Sequence, residues 1–464
     1  MKAIMFSAMA VFALFANANM FDAIEFRGFT DKANPAGYKV GETITLTLTL
    51  ANAPKELYSG DYAIDWTRKG DDGKESQGRL ALDGKTPLKI ETSLDRPGNI
   101  MVQAFVVTAA DGKKVKRDKM TPGNPAWEGG GNYVFFIGGA LVEPEKIVSA
   151  HEEPADFDEF WNRQKARLAA VPATVLERRE VTPENYRNCR VWAVTVNCAG
   201  PRPVTGYLTI PKNAAPKSLE ARCIFQGYGC GPQGVPGDNA TGRIEFEINA
   251  HGYDLEAIKD KEYYQQFLDG IKTAKYGYAF SPWQNEYPEG CYFNGMALRV
   301  LRAFDFVRSL PEWNGKELSA KGGSQGGLQT MWAVGLVDSL TYAEPVVPWC
   351  ADLGPDAVAG RMAPPWRIAW TKGISYYDCV NHAKRAKAKV FISRAGLGDT
   401  CCMPSSIQAI YNNLPEDKRS ILWVQGSKHG YVPTLPNQCV ELPAMKFTAP
   451  YEEKNVYTGD KLPE

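Results

Sequence analysis

One short stretch constrains the fold more than any other part of the chain. Gly322, Ser324 and Gly326 form a Gly-x-Ser-x-Gly pattern, in which a serine lies at a sharp turn between a strand and a helix. Small residues two positions before and after the serine leave the room that such a tight turn needs. Residues 317–321 have the composition of a short strand, and residues 327–336 carry apolar side chains at helical spacing. We interpret the stretch as a strand-turn-helix that exposes a nucleophilic serine; a glycine-rich connector is the alternative.

The N-terminus has the features of a cleaved export signal. Lys2 precedes an apolar run over residues 4–15, and Ala16-Asn17-Ala18 then provides a small-residue cleavage site. The apolar run is too short to cross a bilayer. The sequence therefore predicts a signal peptide over residues 1–18 and a mature protein that is secreted or periplasmic, with no membrane anchor.

The charge balance narrows the classes of partner. Lys and Arg number 53 and Asp and Glu number 53, so the sequence indicates neither a nucleic acid nor an anionic membrane as partner. With 464 residues, of which 44% are hydrophobic, the chain is long enough for two or more domains with substantial cores. Its oligomeric state does not follow from these numbers.

The ten cysteines all lie beyond residue 188. In an exported protein, pairs such as Cys189 with Cys198 and Cys223 with Cys230 are candidate disulfides, although the connectivity does not follow from sequence. We predict no zinc site, because the adjacent pair Cys401-Cys402 lacks metal-ligand spacing and the chain has only four histidines. We therefore expect no metal and no cofactor.

Residues 19–142 carry a period of two that is typical of half-buried strands. Threonines at positions 43 to 49 alternate with isoleucine and leucine at positions 44 to 50. Similar runs recur near residues 62–66, 80–82, 88–90, 100–106 and 133–137, with turn dipeptides such as Asp-Gly and Pro-Gly between them. This spacing predicts a small antiparallel β-sandwich of immunoglobulin-like type.

The tryptophans of this segment allow two interpretations. Trp66 or Trp127 is a candidate for stacking on a sugar, which would make the segment a carbohydrate-binding module. We favour a packing and positioning domain, because an alternating strand normally buries its tryptophan in the core.

The periodicity changes in residues 143–464. Asp156 is placed to cap a helix whose apolar residues share one face. From residue 190 onward strands and helices alternate, with a leading antiparallel pair at 191–196 and 204–210. Further strands are predicted at 221–225, 317–321, 343–349, 389–393 and 420–424, and helices at 293–307 and 404–414. This alternation predicts an α/β fold with a mostly parallel sheet, whose chemistry collects at the carboxyl ends of its strands.

A serine nucleophile needs a base and an acid that orients the base. His429 follows the last predicted strand, and Asp399 follows the strand before it. The order Ser324, Asp399, His429 is the nucleophile-acid-base order of a hydrolase with this serine turn. Asp352, after the strand at 343–349, is the alternative acid.

Other residues are candidates for the substrate side of the site. His251 follows a possible strand at 244–248, and we assign it a structural or substrate-side role. Trp283, Trp349 and Trp366 are candidates for a stacking surface, with core packing as the alternative for each. His382 lies in a basic run, which indicates a solvated helix face.

These residues resemble the acetyl xylan esterase and cephalosporin C deacetylase family, carbohydrate esterase family seven. The resemblance runs from about Pro144 to Tyr431 and rests on four motifs. They are Gly322-Gly323-Ser324-Gln325-Gly326-Gly327, Phe225-Gln226-Gly227-Tyr228, Asp156-Phe157-Asp158-Glu159-Phe160-Trp161, and Gly398-Asp399-Thr400 with Pro404. The resemblance implies an α/β-hydrolase that removes acetyl groups from xylose-based saccharides and other small acetyl esters. It also implies an oxyanion hole formed by the backbone N–H groups of Tyr228 and Gln325.

The chain departs from the family pattern at three places. Gln226 stands where the family usually has histidine, Gly430 stands where glutamate commonly follows the catalytic histidine, and no Arg-Gly-Gln motif is present, with His251 at about that place. The substrate range therefore stays open. The alternatives are a glucuronoyl esterase, a prolyl-oligopeptidase-like serine peptidase, and a non-catalytic saccharide-binding protein on a hydrolase scaffold.

Overall fold

The computed structural model describes residues 19–118, 132–238, 242–273, 277–354, 366–429 and 438–443. The predicted signal peptide and Trp127 lie outside these ranges. Within them, no helix is both long enough and apolar enough to cross a membrane.

Seven strands form two antiparallel sheets in the first part of the chain. They are β1 (Glu25–Thr30), β2 (Ile44–Ala51), β3 (Tyr62–Gly70), β4 (Glu75–Ala81), β5 (Lys89–Thr92), β6 (Gly98–Thr108) and β7 (Phe135–Val142). One sheet has the order β1-β2-β5 and the other has the order β4-β3-β6-β7. Each predicted run of alternation overlaps one of the strands from β2 to β7.

The alternation in β2 explains how these two sheets meet. Leu46 and Leu48 are almost fully buried, whereas Thr45 and Thr47 are half-buried and Thr49 is exposed. The two leucines share one apolar cluster with Ile64, Val102 and Phe136 of the other sheet. Burying each such side chain contributes roughly 1.5–3 kcal/mol. The two sheets therefore face each other, and we call β1 to β7 the N-terminal sandwich.

Ten further strands form the central sheet. They are β8 (Val175–Glu180), β9 (Cys189–Val196), β10 (Val204–Pro211), β11 (Leu219–Phe225), β12 (Ile244–Ile248), β13 (Trp313–Gly323), β14 (Tyr342–Val346), β15 (Lys389–Gly396), β16 (Arg419–Val424) and β17 (Cys439–Leu442). Their order is β17-β16-β15-β14-β13-β11-β12-β10-β9-β8. The stretch from β16 to β12 is parallel, and antiparallel strands flank it on both sides. The mostly parallel sheet and the leading antiparallel pair, β9 with β10, are confirmed.

The helices that accompany this sheet are α1 (Phe157–Ala169), α2 (Lys261–Ile271), α3 (Tyr292–Arg308), α4 (Gln325–Leu336), α5 (Cys379–Ala383) and α6 (Pro404–Asn413). Almost every residue of α3 and α4 is buried, as expected for helices that pack in the core of an α/β fold. Asp156 occupies the N-cap position of α1, but its carboxylate makes no capping bond. It accepts a hydrogen bond from the Tyr376 hydroxyl instead.

Two predictions from the second half of the sequence are wrong. All ten cysteines are free thiols. Cys189 begins the extended strand β9, and Cys198 lies two residues beyond its end; the strand spans about 20 Å, whereas a disulfide needs Cα atoms within about 7 Å. His382 is fully buried rather than solvated, because α5 turns it inward against the rings of Phe157 and Trp161.

The N-terminal sandwich packs against the loops that follow β15 and β16. Gln425, directly after β16, is fully buried, and its side-chain amide makes two 2.8 Å hydrogen bonds, one to the backbone N–H and one to the carbonyl oxygen of Gly139 in β7. Gly398, after β15, approaches the same strand so closely that a Cβ there would lie 2.5 Å from the carbonyl oxygen of Ile137. β7 therefore contacts both loops.

Candidate active site

Ser324 lies at the abrupt junction between β13 and α4. Its backbone has φ 56° and ψ −116°, a conformation that a residue with a Cβ rarely adopts. Two glycines make this turn possible. A Cβ on Gly322 would lie 2.5 Å from the carbonyl oxygen of Gly326, and a Cβ on Gly326 would lie 2.2 Å from that of Phe225. The strain at the serine is thus accommodated by close backbone packing that only glycine permits.

Backbone hydrogen bonds hold this strained turn in place. The N–H of Ser324 donates to the carbonyl oxygen of Val346 at the end of β14, over 2.8 Å. The carbonyl oxygen of Ser324 accepts hydrogen bonds from the N–H groups of Leu328 (3.0 Å) and Trp349 (2.9 Å). The neighbouring strand and the first turn of α4 therefore both determine the position of the serine.

The candidate acid and base follow adjacent parallel strands. Asp399 comes after β15, and His429 comes after β16. The Asp399 side chain is fully buried, and its Oδ2 lies 2.9 Å from His429 Nδ1. Its Oδ1 accepts hydrogen bonds from the backbone N–H groups of Cys401 and Cys402, both at 2.8 Å. Because both oxygens of this carboxylate are engaged, it holds the imidazole in one orientation.

The alternative acid, Asp352, has other contacts. Its Oδ1 accepts a hydrogen bond of 2.6 Å from the backbone N–H of Ala150, and its own N–H donates to Oδ1 of Asp378 over 2.9 Å. Asp399 is the carboxylate that the structure brings to His429. Asp399 and His429 follow the carboxyl ends of β15 and β16, and Ser324 follows the carboxyl end of β13 in the same sheet.

The loop after β11 lies beside the serine. Phe225 is in register with Gly322 of β13, so the residues that follow β11 run past the start of α4. The Gln325 side chain reaches this loop, with Nε2 3.5 Å from the carbonyl oxygen of Gly227. As the first residue of α4, Gln325 also has a backbone N–H of the kind that lacks an intrahelical partner.

Tyr278 fixes the same loop and was not found in the sequence analysis. Its buried hydroxyl donates to Gln325 Oε1 over 2.5 Å and accepts a hydrogen bond of 3.0 Å from the N–H of Gly229. Its ring stacks on Tyr228 with centroids 4.3 Å apart. Burial raises the pKa of Tyr278 well above its ordinary value, so the hydroxyl keeps its proton. Tyr278 is 47 residues from Gln325 in sequence, and no local pattern marks such a contact.

His251 supports this loop from behind. It has no exposed surface; its Nε2 lies 3.0 Å from the carbonyl oxygen of Gly229, and its Nδ1 lies 2.9 Å from the Tyr292 hydroxyl. Burial lowers the pKa of His251 to about 3, so the ring is neutral at ordinary pH. A carbonyl oxygen can only accept, which assigns the proton to Nε2. The expected substrate-side role is therefore not a direct contact, because no part of the ring is exposed.

The three candidate tryptophans lie in different environments. Trp349 is only 3% exposed and donates through its ring N–H to the carbonyl oxygen of Trp366, which makes it a packing residue rather than a stacking surface. Trp366 is partly exposed, with its ring 5.5 Å from that of Tyr228. Trp283 is 72% exposed on a 3-10 helix at Pro282–Gln284.

Within the described ranges, one set of side chains has the chemistry of metal ligands. The thiol sulfurs of Cys401 and Cys402 and a ring nitrogen of His429 all lie within 4.8 Å of one another. Spacing along the chain gives no sign of this set, because the fold brings in a histidine that is distant in sequence.

Comparisons with known proteins address the family and the fold of the chain. The family model for acetyl xylan esterase (AXE1) matches residues 140–355 and 368–442, which is more than half of the chain. The chain is 26% identical over 296 residues to acetyl esterase Axe7A of Xylanibacter ruminicola, a match that covers 60% of this chain and 64% of that protein. The match thus spans less than two thirds of the relative's length.

Two solved structures share the fold. The acetyl xylan esterase of Paenibacillus sp. R4 has a TM-score of 0.52 at 22% identity and covers 63% of this chain and 94% of its own. Acetyl xylan esterase 1 of Thermoanaerobacterium sp. JW/SL YS485 has a TM-score of 0.50 at 19% identity and covers 62% of this chain and 92% of its own. Since the family model matches most of the region that carries the sheet and the serine turn, the chain belongs to the acetyl xylan esterase family.

Proposed function

We propose that the protein is a serine esterase that removes acetyl groups from acetylated xylan or xylooligosaccharides, and from other small acetyl esters. The observation that carries the proposal is the hydrogen bond between Asp399 and His429, at the sheet edge where β13 ends in Ser324. Family membership favours this activity over a glucuronoyl esterase, a peptidase or a non-catalytic saccharide-binding protein.

The reaction is acyl transfer in two halves. The Ser324 Oγ attacks the acetyl carbonyl carbon while His429 accepts the hydroxyl proton and Asp399 stabilises the resulting imidazolium. The C–O bond to the sugar breaks, and the sugar oxygen takes the proton from His429. Water then attacks the acetyl-serine with His429 as base again, which releases acetate and restores the serine.

Two backbone N–H groups stabilise the oxyanion in this proposal, those of Tyr228 and Gln325. Both lie on elements that other contacts hold rigid: the loop after β11 is tied to Tyr278 and His251, and Gln325 begins α4. Losing one donor of this kind typically lowers the rate by about 10²- to 10³-fold. Of the three candidate tryptophans, Trp366 and Trp283 have exposed surface for a sugar.

We also propose the organisation of the chain. Residues 1–18 are a signal peptide of a secreted or periplasmic protein, residues 19–142 an immunoglobulin-like sandwich, and residues 143–464 the catalytic domain. The end of β7 at Val142 and the two facing antiparallel sheets support the second boundary and the sandwich class. Trp66 packs against the sandwich core, which favours a positioning role over sugar binding.

The test is acetate release from acetylated xylooligosaccharides by the purified protein. We expect release by the wild type and a loss on the order of 10³-fold or more in Ser324→Ala. Ser309→Ala, at an exposed serine that bonds only within its own helix end, is the matched control and should retain activity. A glucuronic acid ester and an aminoacyl peptide tested in parallel should stay intact.

Two results would contradict the proposal. Acetate release that persists in Ser324→Ala would exclude the serine mechanism. Saccharide binding without hydrolysis of any ester would support the non-catalytic alternative.

A further inference from the structure

Two cysteines and the candidate catalytic histidine form a cluster beside the serine. Cys401 and Cys402 follow Asp399 directly, in the loop between β15 and α6, and their sulfurs lie with a ring nitrogen of His429 inside a span of 4.8 Å. Cys402 is buried and Cys401 is half-buried. The esterase mechanism proposed above uses the imidazole but neither thiol.

The chemistry of this set is that of a soft-metal site. Thiolate sulfur and imidazole nitrogen are the ligands that Zn²⁺ prefers, and two cysteines with one histidine leave the fourth tetrahedral position open. At bond lengths of about 2.3 Å to sulfur and 2.1 Å to nitrogen, tetrahedral ligand atoms are about 3.6–3.8 Å apart. The sulfurs and the ring nitrogen lie within 4.8 Å of one another, so side-chain rotations that move them by about an ångström reach the tetrahedral spacing.

The surroundings fit a single ion. A small cavity of about 20 Å³ borders Cys401, Cys402 and Trp349 on the side of the cysteines away from His429, which does not line it, and it has room for one water-sized occupant but not for a sugar. The carboxylate of Asp399 already bonds the ring of His429, the arrangement that orients metal-ligating histidines in many proteins. The backbone N–H groups of both cysteines bond that same carboxylate, so the loop is held in register with the histidine.

We propose that Cys401, Cys402 and His429 form a reversible inhibitory site for a soft divalent cation such as Zn²⁺. As the ion binds, each thiol releases its proton to solvent and forms a sulfur–metal bond, and the imidazole contributes a nitrogen lone pair. An imidazole held by the ion either lacks the lone pair that accepts the Ser324 proton or loses its bond to Asp399. Either way, the ion blocks the first half of the reaction. The inhibition rests on the proposed esterase function, whereas binding does not.

Binding is measured on the full chain by titration with Zn²⁺ against a chromophoric chelator. We expect one ion per chain for the wild type and for Ser324→Ala. Cys401→Ser removes one ligand sulfur and keeps the backbone, and it should weaken binding at least about tenfold. Cys198→Ser is the control, because Cys198 is likewise a free thiol but lies outside the cluster, and it should bind as the wild type does. Co²⁺ in place of Zn²⁺ should give thiolate charge-transfer absorption that Cys401→Ser reduces.

Inhibition is measured as acetate release, with each variant compared to its own rate in metal-free buffer. Zn²⁺ should suppress the wild type and Cys198→Ser, a chelator should restore both, and Cys401→Ser should need at least about tenfold more Zn²⁺. Equal Zn²⁺ affinity in wild type and Cys401→Ser, or no stoichiometric binding by the wild type, would overturn the site. Binding by Ser324→Ala in a protein whose wild type hydrolyses no ester would uphold the site and reject the esterase.

Discussion

The contact between Gln425 and Gly139 offers a direct test of whether the N-terminal sandwich positions the catalytic residues. Gln425→Ala removes two buried hydrogen bonds and leaves the N–H and carbonyl of Gly139 without these partners. A buried polar group left unsatisfied costs about 1–3 kcal/mol, so the two together should lower the free energy of unfolding by about 2–6 kcal/mol. This is a substantial part of the usual stability of about 5–15 kcal/mol.

The same change should lower kcat, because Gln425 is four residues before His429 and fixes the start of its loop. If bringing the imidazole into position then costs about 1.4 kcal/mol, kcat falls about tenfold. The assay is hydrolysis of p-nitrophenyl acetate, at a temperature where circular dichroism shows the variant folded. Urea denaturation gives the free energy of unfolding for the same samples.

Gln438→Ala is the matched control. Its side chain is also a buried amide that bonds the sandwich, at Thr30 and at the carbonyl oxygens of Lys32 and Ala33, but Gln438 directly precedes β17, which carries no candidate catalytic residue. We expect a similar loss of stability with kcat unchanged. Equal losses of kcat in both variants would mean that the sandwich acts through overall stability alone, and an unchanged free energy of unfolding in Gln425→Ala would refute the assigned hydrogen bonds.

Four further predictions concern other parts of the molecule. Tyr278→Phe removes the hydroxyl that links the loop after β11 to α4 and should lower kcat about tenfold with little change in KM, measured by steady-state kinetics. Gly326→Ala places a Cβ 2.2 Å from a backbone carbonyl oxygen and should prevent folding or lower the Tm by more than about 10 °C, measured by calorimetry. Burial lowers the pKa of His251 and His382 to about 3, so between pH 6.5 and 3 the unfolded chain binds more protons than the folded chain. The free energy of unfolding should therefore fall with decreasing pH, by about 1.4 kcal/mol per pH unit for each ring. His382→Asn should remove the contribution of one ring, measured by urea denaturation at pH 7 and pH 5. Trp283→Ala should raise KM for acetylated xylooligosaccharides and leave KM for p-nitrophenyl acetate unchanged, because an exposed indole ring stacks on a sugar of the longer substrate, and the small ester has no sugar.

The parts of the structure that follow from local pattern were predictable from the sequence. The serine turn is one, because the glycines around Ser324 are required by contacts within a few residues and with the next strand. The strands of the N-terminal sandwich were predictable from their period of two, and the α/β fold was predictable from the alternation of strands and helices. The positions of Asp399 and His429 after successive predicted strands indicate an acid and a base, and in the structure Asp399 Oδ2 lies 2.9 Å from His429 Nδ1.

Features that depend on distant residues were not predictable. The basic neighbours of His382 indicated solvent, yet the ring packs against α1, more than 200 residues earlier in the chain. The predicted disulfide between Cys189 and Cys198 is absent because the chain between them is an extended strand, and closeness in sequence does not reveal the distance between the two thiols. Tyr278 and its bond to Gln325 left no local signal, since a tyrosine in a loop is equally compatible with many environments.

The three candidate catalytic residues differ in which contacts hold them. The position of Ser324 is determined inside the central sheet, by glycines and by the ends of β13 and β14. The loops that carry Asp399 and His429 also lean on β7 of the N-terminal sandwich, through Gly398 and Gln425. Met403, which lies between the Asp399 loop and α6 as the N-cap of that helix, belongs to an apolar cluster whose other members are in the sandwich. Because the sandwich contacts the acid and base loops, whereas close glycine packing and the ends of β13 and β14 hold Ser324, we expect the sandwich to influence proton transfer more than the position of the nucleophile.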